Sequence, residues 1–313
     1  MTTALFLLGG LVLLFLAGEI LVRGSVLLAL RLGVSPLMIG LTVVGFGTSM
    51  PELVTSLQAA FAGAPGIAIG NIVGSNIANV LLIIGIAALV SPIPCPTRSV
   101  VRDGGIMVAA ALALAALTMG GVLTRTDGAI LVLGLAVYLI LVWHQERRKV
   151  PGSDEGAGND APKAGAIAVA REIGLVLAGF AGLVVGGRLL VDGAVDLAQT
   201  AGVSDTVIGL TVVAIGTSLP ELATSFVAAM RKQSDIAYGN IVGSNVFNVL
   251  GIAGVTALTH PIAVPAEVVR FDIPVMIGVM LLMTVFAATG ARLSRSEGAV
   301  LLGGYAAYLL VIV

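Results

Sequence analysis

The sequence predicts an all-α polytopic membrane protein with ten transmembrane helices, arranged as two inverted repeats of five helices each. Two observations predict this fold. The 313 residues are 58% hydrophobic and only 11% charged, with a mean hydropathy of +1.10, whereas soluble proteins have about 25% charged residues. In addition, a stretch of 50 residues occurs twice without a gap, at 40–89 and 209–258, with 31 identical positions.

Ten apolar stretches are long enough to cross the hydrocarbon core, which takes about 20 residues. The predicted spans are 4–22, 37–62, 66–90, 104–121, 127–143, 166–190, 205–230, 236–259, 267–289 and 298–313. The first span follows no basic segment and is longer than the apolar region of a signal peptide, so we expect it to remain as a helix. We therefore divide the chain into a first repeat (1–143), a polar linker (144–165) and a second repeat (166–313).

The distribution of Lys and Arg predicts the orientation of these spans. With the N-terminus outside, 13 of the 16 basic residues fall on the cytoplasmic side, as the positive-inside rule requires. We therefore expect a cell inner membrane protein with both termini outside and the linker in the cytoplasm. Because each repeat has an odd number of spans, the two repeats have opposite orientations. Many secondary transporters share this arrangement, with the binding site at the repeat interface near the midplane.

Each copy of the repeated stretch has an acidic residue in the middle of an apolar span. The first copy reads GTSMPE and ends in Glu52, and the second reads GTSLPE and ends in Glu221. Pro51 and Pro220 remove a backbone hydrogen bond, so we expect both helices to be broken there, with a carbonyl freed four residues earlier. An ionisable residue within the membrane indicates a functional site. We expect no ion pair with Arg or Lys, since none lies near midspan in these helices.

The residues around the two carboxylates are rich in oxygen. Thr48 and Ser49 precede Glu52 by four and three residues, a spacing that would place both hydroxyls beside its carboxylate. A second motif in each copy puts Asn and Ser four residues apart on one helix face. These side chains could join helices by hydrogen bonds, but we favour ligand oxygens for Ser75, Asn79, Ser244 and Asn248. We expect packing roles for Asn71, Asn76, Asn240 and Asn245.

Carboxylates, hydroxyls, amide oxygens and freed carbonyls together suit a hard cation such as Ca²⁺ or Na⁺. Two negative charges match one Ca²⁺ or two to three Na⁺, and competition for them would allow exchange. A proton- or potassium-coupled antiporter of the same fold and a cation channel remain alternatives. An enzyme is not expected, because no nucleophile–base pair accompanies the carboxylates. Nor do we expect a cofactor, a nucleic acid or a protein partner beyond the ions and the lipid bilayer.

The two motifs, GTSxPE followed by GNxxGSNxxN in both halves, resemble the repeats of the cation/Ca²⁺ exchanger superfamily. The match is to the sodium/calcium exchanger branch with its prokaryotic members. The resemblance implies that Glu52 and Glu221 bind Ca²⁺ together with the carbonyls of Thr48 and Thr217. It implies flanking Na⁺ sites formed by the hydroxyls of Ser49, Ser218, Ser75 and Ser244 and the carbonyls of Gly45 and Ala214. Asn79 and Asn248 would lie at the middle position.

The resemblance also implies that the first and sixth helices act as gates that slide across the rest. Some relatives have Asp where this chain has Asn248, and Asn is similar to the potassium-independent exchangers. Glu19 and Arg188 occupy matching positions in the first and sixth helices. We interpret both as side chains that reach the membrane surface, with a role in holding the gating helices as the alternative.

Overall fold

The computed structural model describes residues 2–32, 34–95, 100–146, 166–200 and 214–312. The helices of the first half are α1 (Thr2–Leu32), α2 (Pro36–Thr48), α3 (Met50–Phe61), α4 (Pro65–Val90), α5 (Val100–Thr118) and α6 (Arg125–Glu146). Those of the second half are α7 (Ala166–Thr200), α8 (Ala214–Thr217), α9 (Leu219–Met230), α10 (Ser234–Thr259), α11 (Val268–Gly290) and α12 (Arg295–Ile312). Four short strands lie between them: β1 (Ile93–Pro94), β2 (Val122–Leu123), β3 (Ile262–Ala263) and β4 (Arg292–Leu293).

The described helices match the predicted spans in order. Seven of them, namely α1, α4, α5, α6, α7, α10 and α11, are long and apolar enough to cross a membrane, and the bent pair α2–α3 can form an eighth span. The two other predicted spans correspond to α12 and to α8 with α9. Residues 205–213 of the seventh predicted span lie outside the described residues.

Some predicted boundaries differ from the observed ones. Helix α1 continues to Leu32, well beyond the predicted end at 22, because the first proline that could stop it is Pro36. Helix α6 extends to Glu146, into the segment 144–165 predicted as a linker. The rest of that linker, 147–165, lies outside the described residues, so the division into two repeats and a linker stays a prediction.

The strands join the two halves of the chain at both ends of the helical bundle. β1 pairs antiparallel with β4, and β2 pairs antiparallel with β3. Six predicted spans separate β1 from β4, and four separate β2 from β3. Because both numbers are even, the members of each pair lie on the same side of the membrane, as the predicted count of spans requires.

Glycines allow helices of the two halves to approach closely. A Cβ at Gly243 of α10 would overlap the carbonyl group of Leu41 in α2, and one at Gly239 would lie 3.0 Å from the carbonyl oxygen of Leu37. Helix α1 packs along α7 in the same way, since a Cβ at Gly179 would lie 2.7 Å from the Cβ of Leu21. Small residues at such crossings are typical of membrane helices. The α2–α10 crossing brings the first copy of the repeated motif against the second.

Candidate cation-binding site

Both motif helices are broken at the serine that lies two residues before the proline. Helix α2 ends at Thr48, α3 begins at Met50, and the two are bent by 42°. Between them Ser49 has φ −85° and ψ 8°, and its counterpart Ser218 between α8 and α9 has φ −89° and ψ 7°. Pro51 then lies in the first turn of α3, where a missing N–H breaks no helical hydrogen bond. The predicted break is therefore present in both copies, with the same backbone geometry.

The two acidic residues lie in the first turns of the helices that follow the breaks. Glu52 of α3 is 1% exposed and Glu221 of α9 is 0% exposed. The Ser218 hydroxyl donates to Glu52 Oε1 at 3.0 Å, and the Ser49 hydroxyl donates to Glu221 Oε1 at 2.7 Å. Each carboxylate is thus held by the serine of the other copy, which places both at the interface between the repeats.

The prediction that Thr48 and Ser49 lie beside the carboxylate of Glu52 was wrong. It assumed a continuous helix, in which residues three and four apart are neighbours. The break at Ser49 ends that relation, and its hydroxyl instead reaches Glu221. The Thr48 hydroxyl lies 3.0 Å from the carbonyl oxygen of Val44 and 3.1 Å from Asn240 Oδ1.

Two asparagines fix the backbone of the acidic residues. Asn71 Nδ2 donates to the carbonyl oxygen of Glu52 at 3.1 Å, and Asn240 Nδ2 donates to that of Glu221 at 3.3 Å. The same amides donate to the hydroxyls of Ser56 (3.0 Å) and Ser225 (2.9 Å). Both serines were missed in the sequence analysis, although they occupy matching positions of the repeat. Asn71 and Asn240 therefore position the acidic helices.

Of the remaining predicted ligands, the structure brings some into contact with another polar group of the site. The Ser244 hydroxyl donates to the carbonyl oxygen of Gly45 at 3.0 Å, so these two predicted ligands meet across the α2–α10 crossing. The Thr217 hydroxyl lies 3.5 Å from Asn71 Oδ1. Ser75 is buried on α4 at the position that matches Ser244, and Ala214 is the first residue of α8.

Asn79 and Asn248 lie in π-helical turns, Asn79–Ile84 in α4 and Phe247–Ile252 in α10. Such turns are frequent at functional sites. Asn79 Nδ2 donates to Asn245 Oδ1 at 3.0 Å. The Oδ1 atom of Asn79 has no hydrogen-bond partner in the described part of the chain, and neither amide atom of Asn248 has one.

Six buried carboxylate and amide oxygens have no donor among the described residues, and four of them belong to predicted cation ligands: Glu52 Oε2, Glu221 Oε2, Asn79 Oδ1 and Asn248 Oδ1. The other two are Asn76 Oδ1 and Glu172 Oε2. A buried acceptor without a partner costs about 1–3 kcal/mol, and more when it is charged. Two of the four belong to carboxylates, and neither carboxylate pairs with Lys or Arg within the described ranges. These oxygens suit a hard cation, because Ca²⁺ and Na⁺ are bound by carboxylate and carbonyl oxygens.

The described residues also limit the kinds of metal that suit the site. They contain no cluster of three or more His, Cys, Asp and Glu side chains that could hold a metal ion. Metals that prefer imidazole or thiolate ligands therefore find no suitable cluster in this part of the chain. The neutral oxygens of Asn, Ser and Thr must accompany the two carboxylates in any cation site here.

Aromatic side chains pack at and against the first broken helix, and the matching positions of the repeat hold no aromatic residues. The rings of Phe46 and Phe247 stack with centroids 4.3 Å apart. The ring of Phe180 in α7 lies against Gly47, where a Cβ would overlap it. The repeat puts Ile215 at the position of Phe46 and Ala78 at that of Phe247. The aromatic stack therefore belongs to the side of the first broken helix.

The two halves of the site also differ in burial. Thr48 and Asn240, which contact each other on the Phe46 side, are fully buried. Thr217 and Asn71, the matching pair on the other side, are only half-buried. The site is therefore more open beside Thr217 than beside Thr48.

Ion pairs tie α1 to its neighbours. Arg231, at the end of α9, pairs with Glu19, and Arg31 pairs with the buried Glu172 of α7. The pairing of Glu19 favours the alternative in which this residue helps to hold α1. Arg188 is exposed on α7, as expected for a side chain at the membrane surface.

Comparison with known proteins identifies the family. The sodium/calcium exchanger protein family matches residues 2–144 and 171–313. The sodium/calcium exchanger MaX1 of Methanosarcina acetivorans is 36% identical over 344 residues, covering 98% of this chain and 97% of that protein. The inner membrane protein YrbG of Escherichia coli is 34% identical over 323 residues, covering 100% and 97%.

The fold agrees with a solved relative. A structure of the sodium-calcium exchanger NCX_Mj superposes with a TM-score of 0.86 at 31% identity, covering 100% of this chain and 99% of the other. The match extends over both halves, so the chain has the ten-helix inverted-repeat fold of that transporter. It is a multi-pass membrane protein, and it belongs to the sodium/calcium exchanger family.

Proposed function

We propose that the chain is an antiporter that exchanges Na⁺ for Ca²⁺ at the site between Glu52 and Glu221. The observation that carries this proposal is that four oxygens of the predicted ligands are buried without a donor among the described residues, including one carboxylate oxygen from each repeat. Ca²⁺ accepts six to eight oxygens at flexible distances. The carbonyls of Thr48 and Thr217 would complete its coordination. The relatives MaX1 and NCX_Mj, both named sodium/calcium exchangers, support the choice of ions.

Exchange follows if both cargoes need the same two negative charges. One Ca²⁺ or two Na⁺ neutralise the two carboxylates, and a third Na⁺ would add one positive charge held by neutral ligands. The proposed Na⁺ ligands flank the carboxylates: Ser49, Ser218, Ser75, Ser244, and the carbonyls of Gly45 and Ala214. Two uncompensated buried carboxylates disfavour movement of the site through a low dielectric. The protein would therefore change conformation with either cargo bound and resist the change without one.

The difference in burial between the half-sites suggests how access alternates. Under the predicted orientation, both termini lie outside an inner membrane and α8 enters from the outside. Thr217 then lies on the outer side of Glu221, and Thr48 lies on the inner side of Glu52. The half-buried side is the outer one, so we infer an outward-facing conformation. In the inward-facing conformation, the environments of Thr48 and Thr217 would be interchanged.

The test is uptake of ⁴⁵Ca²⁺ into proteoliposomes with gradients of Na⁺, K⁺ and H⁺ imposed separately. We expect uptake to follow an outward Na⁺ gradient and to be lost in Glu52→Gln and in Glu221→Gln. Glu267→Gln makes the same chemical change at an exposed residue before α11 and should leave uptake intact. Equal uptake with and without the Na⁺ gradient would contradict the proposal.

The same experiment separates the alternatives. Uptake driven by a pH gradient alone, or only when K⁺ is present, would assign the site to a proton- or potassium-coupled antiporter. Uptake that needs no counter-ion and far exceeds transporter turnover would indicate a cation channel. The neutral Asn248 favours the Na⁺-coupled reaction, since it offers neither a proton nor a third charge at the middle position.

A further inference from the structure

A second polar feature lies away from the carboxylates, where α1 meets both α7 and α9. Helix α1 approaches α9 at Gly18, where a Cβ would lie 3.2 Å from the carbonyl oxygen of Ala223. One turn and a half later it approaches α7 at Gly24, where a Cβ would lie 3.1 Å from the backbone nitrogen of Val176. Between these contacts the three helices leave a half-open cavity of about 680 Å³.

The cavity combines charged and apolar walls. Three arginines line it, one from each of α1, α7 and the end of α9: Arg23, Arg171 and Arg231. Apolar side chains of α1 and α7, among them Val26 and Leu175, form the rest of the wall. Neither the carboxylates nor any other predicted cation ligand lines it.

The charges in this cavity are unbalanced. Arg231 pairs with Glu19. Arg23 and Arg171 are exposed and form no ion pair within the described ranges, and the nearby Glu172 is already paired with Arg31. Two guanidinium groups therefore remain available to an anion. Guanidinium groups bind phosphate oxygens in a bidentate manner, which makes arginine well suited to phosphate recognition.

We propose that this cavity binds the phosphate headgroup of an anionic phospholipid, with the upper part of its acyl chains against the apolar wall. A free phosphate ion would use only the arginines, whereas the size of the cavity and its apolar side chains suit a lipid. Under the predicted orientation all three arginines lie at the cytoplasmic leaflet, whose anionic lipids are attracted to basic pockets between transmembrane helices. The bound lipid contacts α1, α7 and α9 and stabilises their packing.

The test is the thermal stability of the purified full-length protein in detergent, with added phosphatidylglycerol or phosphatidylcholine of the same chains. We expect phosphatidylglycerol to raise the melting temperature more than phosphatidylcholine, since a ligand of the folded state stabilises it. This difference between the two lipids should disappear in the double variant Arg23→Gln/Arg171→Gln. The difference should persist in the control double variant Arg125→Gln/Arg270→Gln, which removes the same charge at the opposite end of the bundle. Native mass spectrometry should show binding of phosphatidylglycerol weakened by roughly tenfold or more in the first variant.

Two results would overturn the proposal. One is a phosphatidylglycerol effect of the same size in both double variants, which would indicate general attraction to the surface. The other is measured on the wild-type protein alone, so it does not depend on the variants folding. If inorganic phosphate or glycerol phosphate stabilised the protein as much as phosphatidylglycerol does, the cavity would be a site for free anions.

Discussion

The two copies of the repeated motif have the same chemistry in different surroundings. Ser49 and Ser218 have nearly identical backbone angles, and each donates to the carboxylate of the other copy. By contrast, Asn240 is fully buried against Thr48, whereas Asn71 is only half-buried beside Thr217. The surroundings also differ at positions that are not identical, since Phe46 stacks on Phe247 and the matching residues are Ile215 and Ala78. The repeat thus accounts for the shared geometry at the carboxylates, whereas the burial of the two sides is not symmetric.

The largest expected effect concerns the part of the site that is symmetric. Ser49→Ala and Ser218→Ala each remove a buried hydrogen bond to a carboxylate, which contributes about 1.5–3 kcal/mol. We expect both variants to lose stability by similar amounts in thermal melts without Ca²⁺. Added Ca²⁺ should reduce the loss, because a bound cation replaces the missing donor. A loss in only one variant would mean that the exchanged serines are not equivalent.

A somewhat smaller effect separates the two copies. Gly243→Ala puts a methyl group into the carbonyl of Leu41, whereas Gly74, at the matching position of α4, has nothing within 4 Å of a Cβ. Overpacking of this kind costs on the order of 1–3 kcal/mol. We expect Gly243→Ala to lower the melting temperature and Gly74→Ala to leave it unchanged. Equal melting temperatures would show that the α2–α10 crossing is looser than its geometry indicates.

The smallest effect concerns Cys95 of the first repeat, which matches Val264 of the second repeat at the same offset. Both side chains are buried, and the Cys95 thiol contacts the carbonyl oxygen of Ile93 at 3.2 Å. Burial raises the pKa of this thiol to about 12. Because the thiolate is the reactive form, only about one thiol in ten thousand is ionised at pH 8.

We therefore expect iodoacetamide to label folded protein very slowly at pH 8, faster as the pH rises toward 11, and at an ordinary rate in denaturant. Cys95→Val should give no labelling and an unchanged melting temperature, since the second repeat has Val264 at the matching position. Rapid labelling of folded protein at pH 8 would mean that this loop is open.

The fold could be predicted from the sequence because its signals are local and repeated. Hydropathy located the spans, and the repeat at a constant offset indicated the inverted symmetry. The prolines indicated where the helices break, because a proline such as Pro51 affects the backbone only within about one helical turn. The partner of Ser49 could not be predicted from spacing, because the break redirects its hydroxyl to Glu221 of the other repeat. Contacts between distant segments, such as Phe180 against Gly47, leave no pattern in the sequence around either residue.

The predicted cation ligands are an intermediate case. Asn79 and Asn248 were selected because they share a helix face with other polar residues, and their amide oxygens are indeed buried without a donor among the described residues. Asn71 and Asn240 share the same helix faces but were predicted to have packing roles, and their amides fix the backbone of the acidic helices. Position on a helix face predicts that an amide points inward, whereas its partner depends on the helix packed against it.

The central claim is that one carboxylate from each repeat contributes to a single cation site in which Na⁺ and Ca²⁺ compete. Equilibrium binding of ⁴⁵Ca²⁺ to the purified protein in detergent, titrated with NaCl, tests it most directly. We predict one high-affinity Ca²⁺ per chain, displaced by Na⁺ but not by the same concentration of choline, and lost equally in Glu52→Gln and Glu221→Gln. Binding that either variant retains, or that Na⁺ does not displace, would contradict the claim.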